Sequence, residues 1–171
     1  MEKQLKILSV NTSDFSGGAA RAAYRIHFAV RQLGVNSRMF VKDKQLNDDT
    51  VLSLTPFIPV NVFLKLYNYV KHKIKNKIQH FRWNRYPARE DVFLSDLRSV
   101  SLHGAFQKLD FDLLHLHWIN LRFLNLKELQ KINKPIVWTM HDSWAFTGIC
   151  HYAYDCDKYT TQCGSCPFLR S

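Results

Sequence analysis

The chain has 171 residues, the size of one domain, and 46% hydrophobic against 22% charged residues is enough for a packed core rather than a disordered tail. Its 24 Lys and Arg against 14 Asp and Glu leave a net charge of +10, which favours anionic partners without naming one. No run of 18 uncharged apolar residues occurs, so no transmembrane helix is expected; residues 1–6 lead into no signal-peptide pattern, so the expected compartment is the reducing cytosol.

In chain order, Leu5-Lys6-Ile7-Leu8-Ser9-Val10 predicts a strand that leaves through a polar turn, Asn11-Thr12-Ser13-Asp14. After Gly17-Gly18, the residues Ala23, Ile26, Val30 and Leu33 recur at spacings of three and four. They predict a helix with those side chains inward and Gly34 as its C-terminal cap. Residues 37–41 predict a second strand, so the chain opens as a βαβ unit.

Between Asp49 and Glu90 there is no acidic residue, yet Lys65, Lys71, Lys73, Lys75, Lys77, Arg82, Arg85 and Arg89 all fall there. Residues 70–78 alternate as an edge strand would. At about 100° per residue, however, Phe63, Leu66, Tyr67, Val70, Ile74, Ile78 and Phe81 share one side, which predicts an amphipathic helix from near Pro59. Further on, residues 113–117 predict a buried strand. Residues 124–132 predict a short helix with Leu126, Leu129 and Ile132 inward, and residues 135–139 a strand ending at Met140-His141-Asp142. Alternating strands and helices predict an α/β fold, a Rossmann-like parallel sheet with helices on both faces. It is expected over residues 1–149, with residues 150–171 a Cys-rich loop of the same domain.

Several residues are candidates for chemistry. Gly17 and Gly18 stand between the first strand and the first helix, where backbone N–H groups can meet a phosphate. They form neither a dinucleotide fingerprint nor a P-loop, and a tight turn needing positive φ explains them equally well. His141 and Asp142 follow a strand directly, at the edge of an open α/β sheet where ligands bind; a histidine bonded to a loop carbonyl is the plainer alternative. His115 and His117 alternate along the preceding strand and so face one way. His117 and Trp118, at its end, are expected to join the cleft, and His115 to be a core histidine.

Cys150, Cys156, Cys163 and Cys166 are spaced C-x5-C-x6-C-x2-C, which suits a structural Zn²⁺ with four thiolates and no open catalytic position. Two disulfides or four free thiols are the alternatives. No catalytic cofactor is expected. The basic stretch 59–83 suits an interfacial helix on anionic lipid, its lysine stems beside an apolar stripe. A core-packed helix with a solvated basic face is the competing reading. Nucleic acid is not expected, because no nucleic-acid motif accompanies the charge.

Taken together, Asn11-Thr12-Ser13-Asp14, Ser16-Gly17-Gly18-Ala19-Ala20-Arg21, Leu114-His115-Leu116-His117-Trp118-Ile119-Asn120 and Lys134-Pro135-Ile136-Val137-Trp138-Thr139-Met140-His141-Asp142 resemble the N-terminal half of family 4 glycosyltransferases. The ending, Trp144 through Thr147-Gly148, Cys150-His151-Tyr152 and Cys163-Gly164 to Cys166-Pro167, is similar to a bacterial subgroup that builds capsule, exopolysaccharide or colanic-acid-type glycans. The resemblance implies a GT-B enzyme that transfers a sugar from a nucleotide-sugar donor, with retention, to a glycan or lipid-linked acceptor at the cytoplasmic face of the membrane. It implies that Gly17 and Gly18 approach the donor diphosphate and that His141 contacts the transferred sugar, with Arg21, His117, Trp118 and Asp142 lining the cleft. That family's second half carries the nucleotide pocket, and this chain reaches only Ser171, so the expectation is an acceptor-side domain inactive alone. The rival expectation is a non-catalytic, zinc-stapled module that docks on anionic membrane or polymer.

Overall fold

The computed structural model describes residues 4–55, 74, 102–147 and 150–167. They belong to two units, one comprising Met1–Phe57 and Ser95–His141, the other Ile58–Leu94 and Asp142–Ser171.

The first unit is built on five strands: β1 (Lys6–Ser13), β2 (Asn36–Asp43), β3 (Val51–Ser53), β4 (Leu113–Leu116) and β5 (Ile136–Trp138). Their spatial order is β3-β2-β1-β4-β5 and every pairing is parallel, with Val10 opposite both Phe40 and Leu116. Helices α1 (Gly18–Gln32), α2 (His103–Phe106) and α3 (Leu126–Leu129) lie between strands in the chain. This is the Rossmann-like α/β fold. The chain runs outward from β1 to β3 and then restarts on the other side of β1, so the order reverses between β1 and β4. All five carboxyl ends reach one edge, and the crevice at that reversal is where such sheets take ligands.

Strand β1 is longer than its apolar run predicts. Asn11, Thr12 and Ser13 are strand residues, not a turn, and all three are buried. Polar side chains can extend a buried strand only where they find partners. Here the Asn11 and Thr12 side chains bond the segment that follows β4, described below.

Helix α1 is observed, and Gly34 (φ +81°) ends it as expected, its N–H donating to the Arg31 carbonyl at 2.9 Å. Its inward row is different. Ala20, Ala23 and His27 are buried, Ile26 and Val30 are half-buried, and Leu33 is exposed. Small alanines let the helix approach the sheet. His27 replaces an aliphatic residue because both ring nitrogens are satisfied, Nδ1 with Ser37 Oγ at 2.8 Å and Nε2 with Thr50 Oγ1 at 2.9 Å. Ala23 packs with Met39, Val41 and Val51, while Phe40 stacks against Phe123 and meets Phe106 edge-on.

The expected helix over 124–132 is a single turn, Leu126–Leu129, started by Asn125, whose Oδ1 accepts from Lys127 N at 3.0 Å. Leu126, Leu129 and Ile132 are only half-buried; Phe123 and Leu124 carry the apolar anchoring just before the turn. Glu128 is the buried member, accepting from the His103 backbone N–H at 2.9 Å and pairing with Lys131. Strand β5 stands at the end of the sheet, and its Ile136 and Val137 are exposed accordingly.

The expected amphipathic helix lies outside the described residues except for Ile74, which is helical and exposed. Among the described residues, no helix is long and apolar enough to cross a membrane. In the second unit, the segment after Asp142 carries a 3-10 turn, Lys158–Thr160. Lys158 Nζ donates to the carbonyls of Gly164 at 3.1 Å and Ser165 at 2.6 Å, which folds the cysteine loop back on itself.

Candidate functional site

At the switch point, the carboxyl end of β1 is clamped to the segment after β4. Trp118 N donates to Asn11 Oδ1 at 2.8 Å, and Thr12 N donates to the Trp118 carbonyl at 2.8 Å. The Thr12 hydroxyl lies 2.9 Å from that carbonyl and 3.0 Å from the Asn120 carbonyl, so one proton is shared between two acceptors. Just beyond, the buried Asp14 carboxylate accepts from the backbone N–H groups of Gln45 and Leu46 at 2.9 Å each, tying down the loop after β2. The crevice therefore has a fixed frame.

Gly17 enters α1 at φ +90°, ψ 171°, a region open essentially to glycine alone. No side chain caps the helix and no acidic residue sits in its first turn. Its leading N–H groups, which lack intrahelical partners, thus keep the positive end of the helix dipole for an anion. A Cβ built at Gly18 meets no atom within 4 Å, and Gly18 has no positive φ, so nothing in the chain itself requires glycine there. Arg21 is exposed, and its guanidinium lies 5.3 Å from the centre of the Phe15 ring, which steadies a cation one turn from the helix start.

Three histidines of the first unit form a row. The His115 and His117 rings are 4.2 Å apart and those of His117 and His141 are 5.3 Å apart. His117 Nδ1 lies 3.1 Å from His141 Nε2, and His115 Nε2 lies 2.8 Å from Thr139 Oγ1. His117, expected to line the cleft, is 1% exposed, whereas His115, expected in the core, is only half-buried. The depth order is reversed because the loop after β4 folds over the strand end, with Trp138 Nε1 donating to the His117 carbonyl at 2.9 Å. His117 Nε2 has no hydrogen-bond partner among the described residues. Leaving such a buried group unsatisfied costs about 1–3 kcal/mol. Burial pushes the His117 imidazolium down to about 3, with the neighbouring His115, His141 and His27 adding repulsion. Burial, then His141, also lowers His115. His117 is accordingly neutral at physiological pH.

The chain passes into the second unit after His141. There Asp142 Oδ2 meets His151 Nδ1 at 2.6 Å, Asp142 Oδ1 accepts from Trp144 N at 3.0 Å, and Ser143 N donates to the His151 carbonyl at 2.8 Å. Asp142 therefore organises its own loop. Sequence reasoning noted His151 only as a neighbour of Cys150; a carboxylate nine residues upstream of a histidine across a loop is too loose a spacing to announce the pair. No disulfide joins Cys150, Cys156, Cys163 and Cys166. Among the described residues no group of three or more His, Cys, Asp and Glu is placed to hold a metal. Lys158 holds the loop with its two carbonyl bonds.

Of the expected site residues, Gly17, Gly18 and Arg21 gather at the start of α1, His117 and Trp118 follow β4, and His141 follows β5, all on the carboxyl side of the sheet. Asn11, Thr12 and Asp14, which frame the crevice, look like a turn by local preference and stand out in the sequence only through the resemblance. The signal that would have found them is a polar run with no glycine or proline directly after a buried strand.

Sheet order, glycine-bearing entry to α1 and histidine beyond β5 together define a Rossmann-like α/β domain with its ligand edge at the β1–β4 switch point. The chain is 39% identical, over 98% of its length, to an Escherichia coli K12 protein named "Putative colanic acid biosynthesis glycosyl transferase WcaC". It spans 40% of that relative's length. No protein-family model matches the chain, and no solved structure matches it.

Proposed function

We propose that this chain is the acceptor-side, Rossmann-like part of a glycosyltransferase of surface-polysaccharide synthesis. In this reading a sugar passes from a nucleotide-sugar donor to a glycan or lipid-linked acceptor, with retention at the anomeric carbon, in a GT-B arrangement whose other half holds the nucleotide. The observation that carries the reading is the pairing of an uncapped α1 N-terminus with a His117-tethered His141 on the carboxyl edge of one sheet. Likeness to the colanic acid relative supports it.

The chemistry follows from charge. As the bond from the anomeric carbon to the diphosphate oxygen breaks, negative charge grows on the leaving diphosphate. Preorganised N–H donors stabilise such charge without reorganising, and the first turn of α1 supplies them, with Arg21 nearby as a cation. His141, tethered through Nε2, would orient the transferred sugar.

Two glycine substitutions separate structural from ligand roles. Gly17→Ala is expected to destabilise the fold by about 1–3 kcal/mol through its φ alone. Gly18→Ala is expected to leave stability unchanged or raise it by up to about 1 kcal/mol, since alanine suits a helix better. In the full-length protein the same Gly18→Ala change should weaken binding of nucleoside diphosphates, with UDP, GDP and ADP each used as probe, by about tenfold (about 1.4 kcal/mol). Unchanged affinity would reject the diphosphate contact.

We further propose that the basic segment 59–83 docks the protein on anionic membrane. Changing Lys71, Lys73, Lys75 and Lys77 together to Glu should abolish co-sedimentation with vesicles containing anionic lipid, since each juxtamembrane cation contributes about 1 kcal/mol. Undiminished binding would return the segment to the protein core.

A further inference from the structure

The row of histidines raises a question of proton placement that the rest of the site does not. Only one proton can lie between His117 Nδ1 and His141 Nε2, 3.1 Å apart. Two arrangements satisfy the contact. Either His117 carries its proton on Nδ1 and donates to His141 Nε2, or His141 donates from Nε2 and His117 carries its proton on Nε2. The two differ at the buried end of His117. In the second, an N–H donor would be stranded at Nε2, which has no partner among the described residues; in the first, only a lone pair is left bare. Buried donors without acceptors are the rarer of the two in folded proteins. Nearby rings do not offer a rescue, because His115 Nε2 is engaged with Thr139 Oγ1 and Trp138 Nε1 is spent on the His117 carbonyl.

We infer that His117 is a positioning residue: its Nδ1–H donates to His141 Nε2, locking the His141 ring and forcing the His141 proton onto Nδ1. The consequence for recognition, which rests on the sugar-contact reading of His141, is that any hydrogen bond His141 gives to a sugar oxygen is given from Nδ1. His117 itself touches no substrate, being 1% exposed. Its backbone is held independently, N–H to the Val10 carbonyl and carbonyl to Trp138 Nε1, both at 2.9 Å, so the imidazole has one defined direction in which to reach.

Long-range proton–nitrogen NMR on the histidine-labelled chain at neutral pH tests this without any assay of sugar transfer. His141 signals are assigned by their disappearance in His141→Gln. The expected spectrum has both His117 and His141 protonated on Nδ1 with bare Nε2. A His141 ring protonated on Nε2, or on both nitrogens, overturns the inference. His117→Asn places an amide donor close to the original Nδ1 and should keep His141 in the same tautomer; His117→Leu should release it to a mixture. An unchanged His141 tautomer in His117→Leu, or a reversed one in His117→Asn, also overturns it. Should His117→Leu fail to fold, the wild-type spectrum and His117→Asn still decide. In the full-length protein, His117→Asn should keep kcat within about threefold while His117→Leu loses about tenfold or more, with KM for donor little changed. If no sugar is transferred by any variant, the sugar-contact reading fails while the tautomer result stands by itself.

Discussion

His141→Ala in the full-length protein is expected to reduce kcat for sugar transfer by about 100-fold, or about 2.7 kcal/mol of transition-state stabilisation, while the protein still folds. The argument begins with placement. His141 lies three residues past the end of β5, on the carboxyl edge of a parallel sheet, and is only partly buried. Removing it opens no core cavity. It does cost His117 its Nδ1 partner, and with Nε2 already unsatisfied the His117 ring is left with neither nitrogen bonded. That second loss is about 1–3 kcal/mol, to be set against a typical domain stability of about 5–15 kcal/mol, so a measurable drop in the urea midpoint without unfolding is part of the expected result. His141→Gln should recover part of the stability but not the rate, since a flexible amide does not reproduce a ring held against His117. Initial-rate kinetics with matched urea titrations check both halves. Near-normal turnover in His141→Ala would remove this histidine from the mechanism.

Acid should unfold the chain early, through two buried neutral histidines. Burial, then the Arg31 charge, holds the His27 imidazolium down to about 4, although Asp48 pulls the other way. His117 is held down to about 3. Both titrate near 6.5 in the unfolded chain. The unfolded state therefore takes up protons first, and stability that is whole above pH 6.5 is lost as the pH falls toward 4 for His27 and further for His117. His27 alone accounts for roughly 3 kcal/mol over that interval, at up to about 1.4 kcal/mol per pH unit. Asp48 acts in the same direction at lower pH. Burial would raise its carboxyl, but hydrogen bonds from the Thr50 side chain and backbone and from Tyr24 outweigh that and lower it, so its contribution disappears as it protonates. Urea titrations from pH 7 to pH 4 should show a steep fall in the midpoint. His27→Gln should be less stable at pH 7 yet show a slope shallower by about one proton. An identical slope in that variant would mean that His27 is not the group responsible.

Most of the sheet was legible because strands of a parallel sheet are short stretches rich in apolar residues, as 5–10, 37–41, 113–117 and 135–139 are. Strand β3 escaped because three residues, Val51–Ser53, carry no period. The inward face of α1 was misread at Leu33, which periodicity places in line with Ala23 and Ile26. The helix ends there, so no sheet remains beneath it, and the row that packs is Ala20, Ala23 and His27. Glu128 was missed for a related reason: charge argues for solvent until a partner is known, and its partner is the backbone N–H of a helix 25 residues away in the chain.

The residues that carry the candidate site were identifiable as residues. Glycines at a strand-to-helix turn, and histidines at two strand ends, stand out in one dimension because local geometry and sheet topology say what such positions are for. Their grouping was not. Asn11, Thr12 and Asp14 look like a polar turn until the backbone of 117–120 and of Gln45 and Leu46 is brought to them. Sequence alone determined the α/β class, the parallel strands and the entry to α1, all of which follow from periodicity and turn preference within a few residues. Only the tertiary structure decided that β1 continues through its polar residues, that His117 is sealed inside while His115 is less so, and that His117 meets His141. Those outcomes depend on hydrogen bonds between residues 21 to 108 positions apart, and no local preference encodes a partner at that distance.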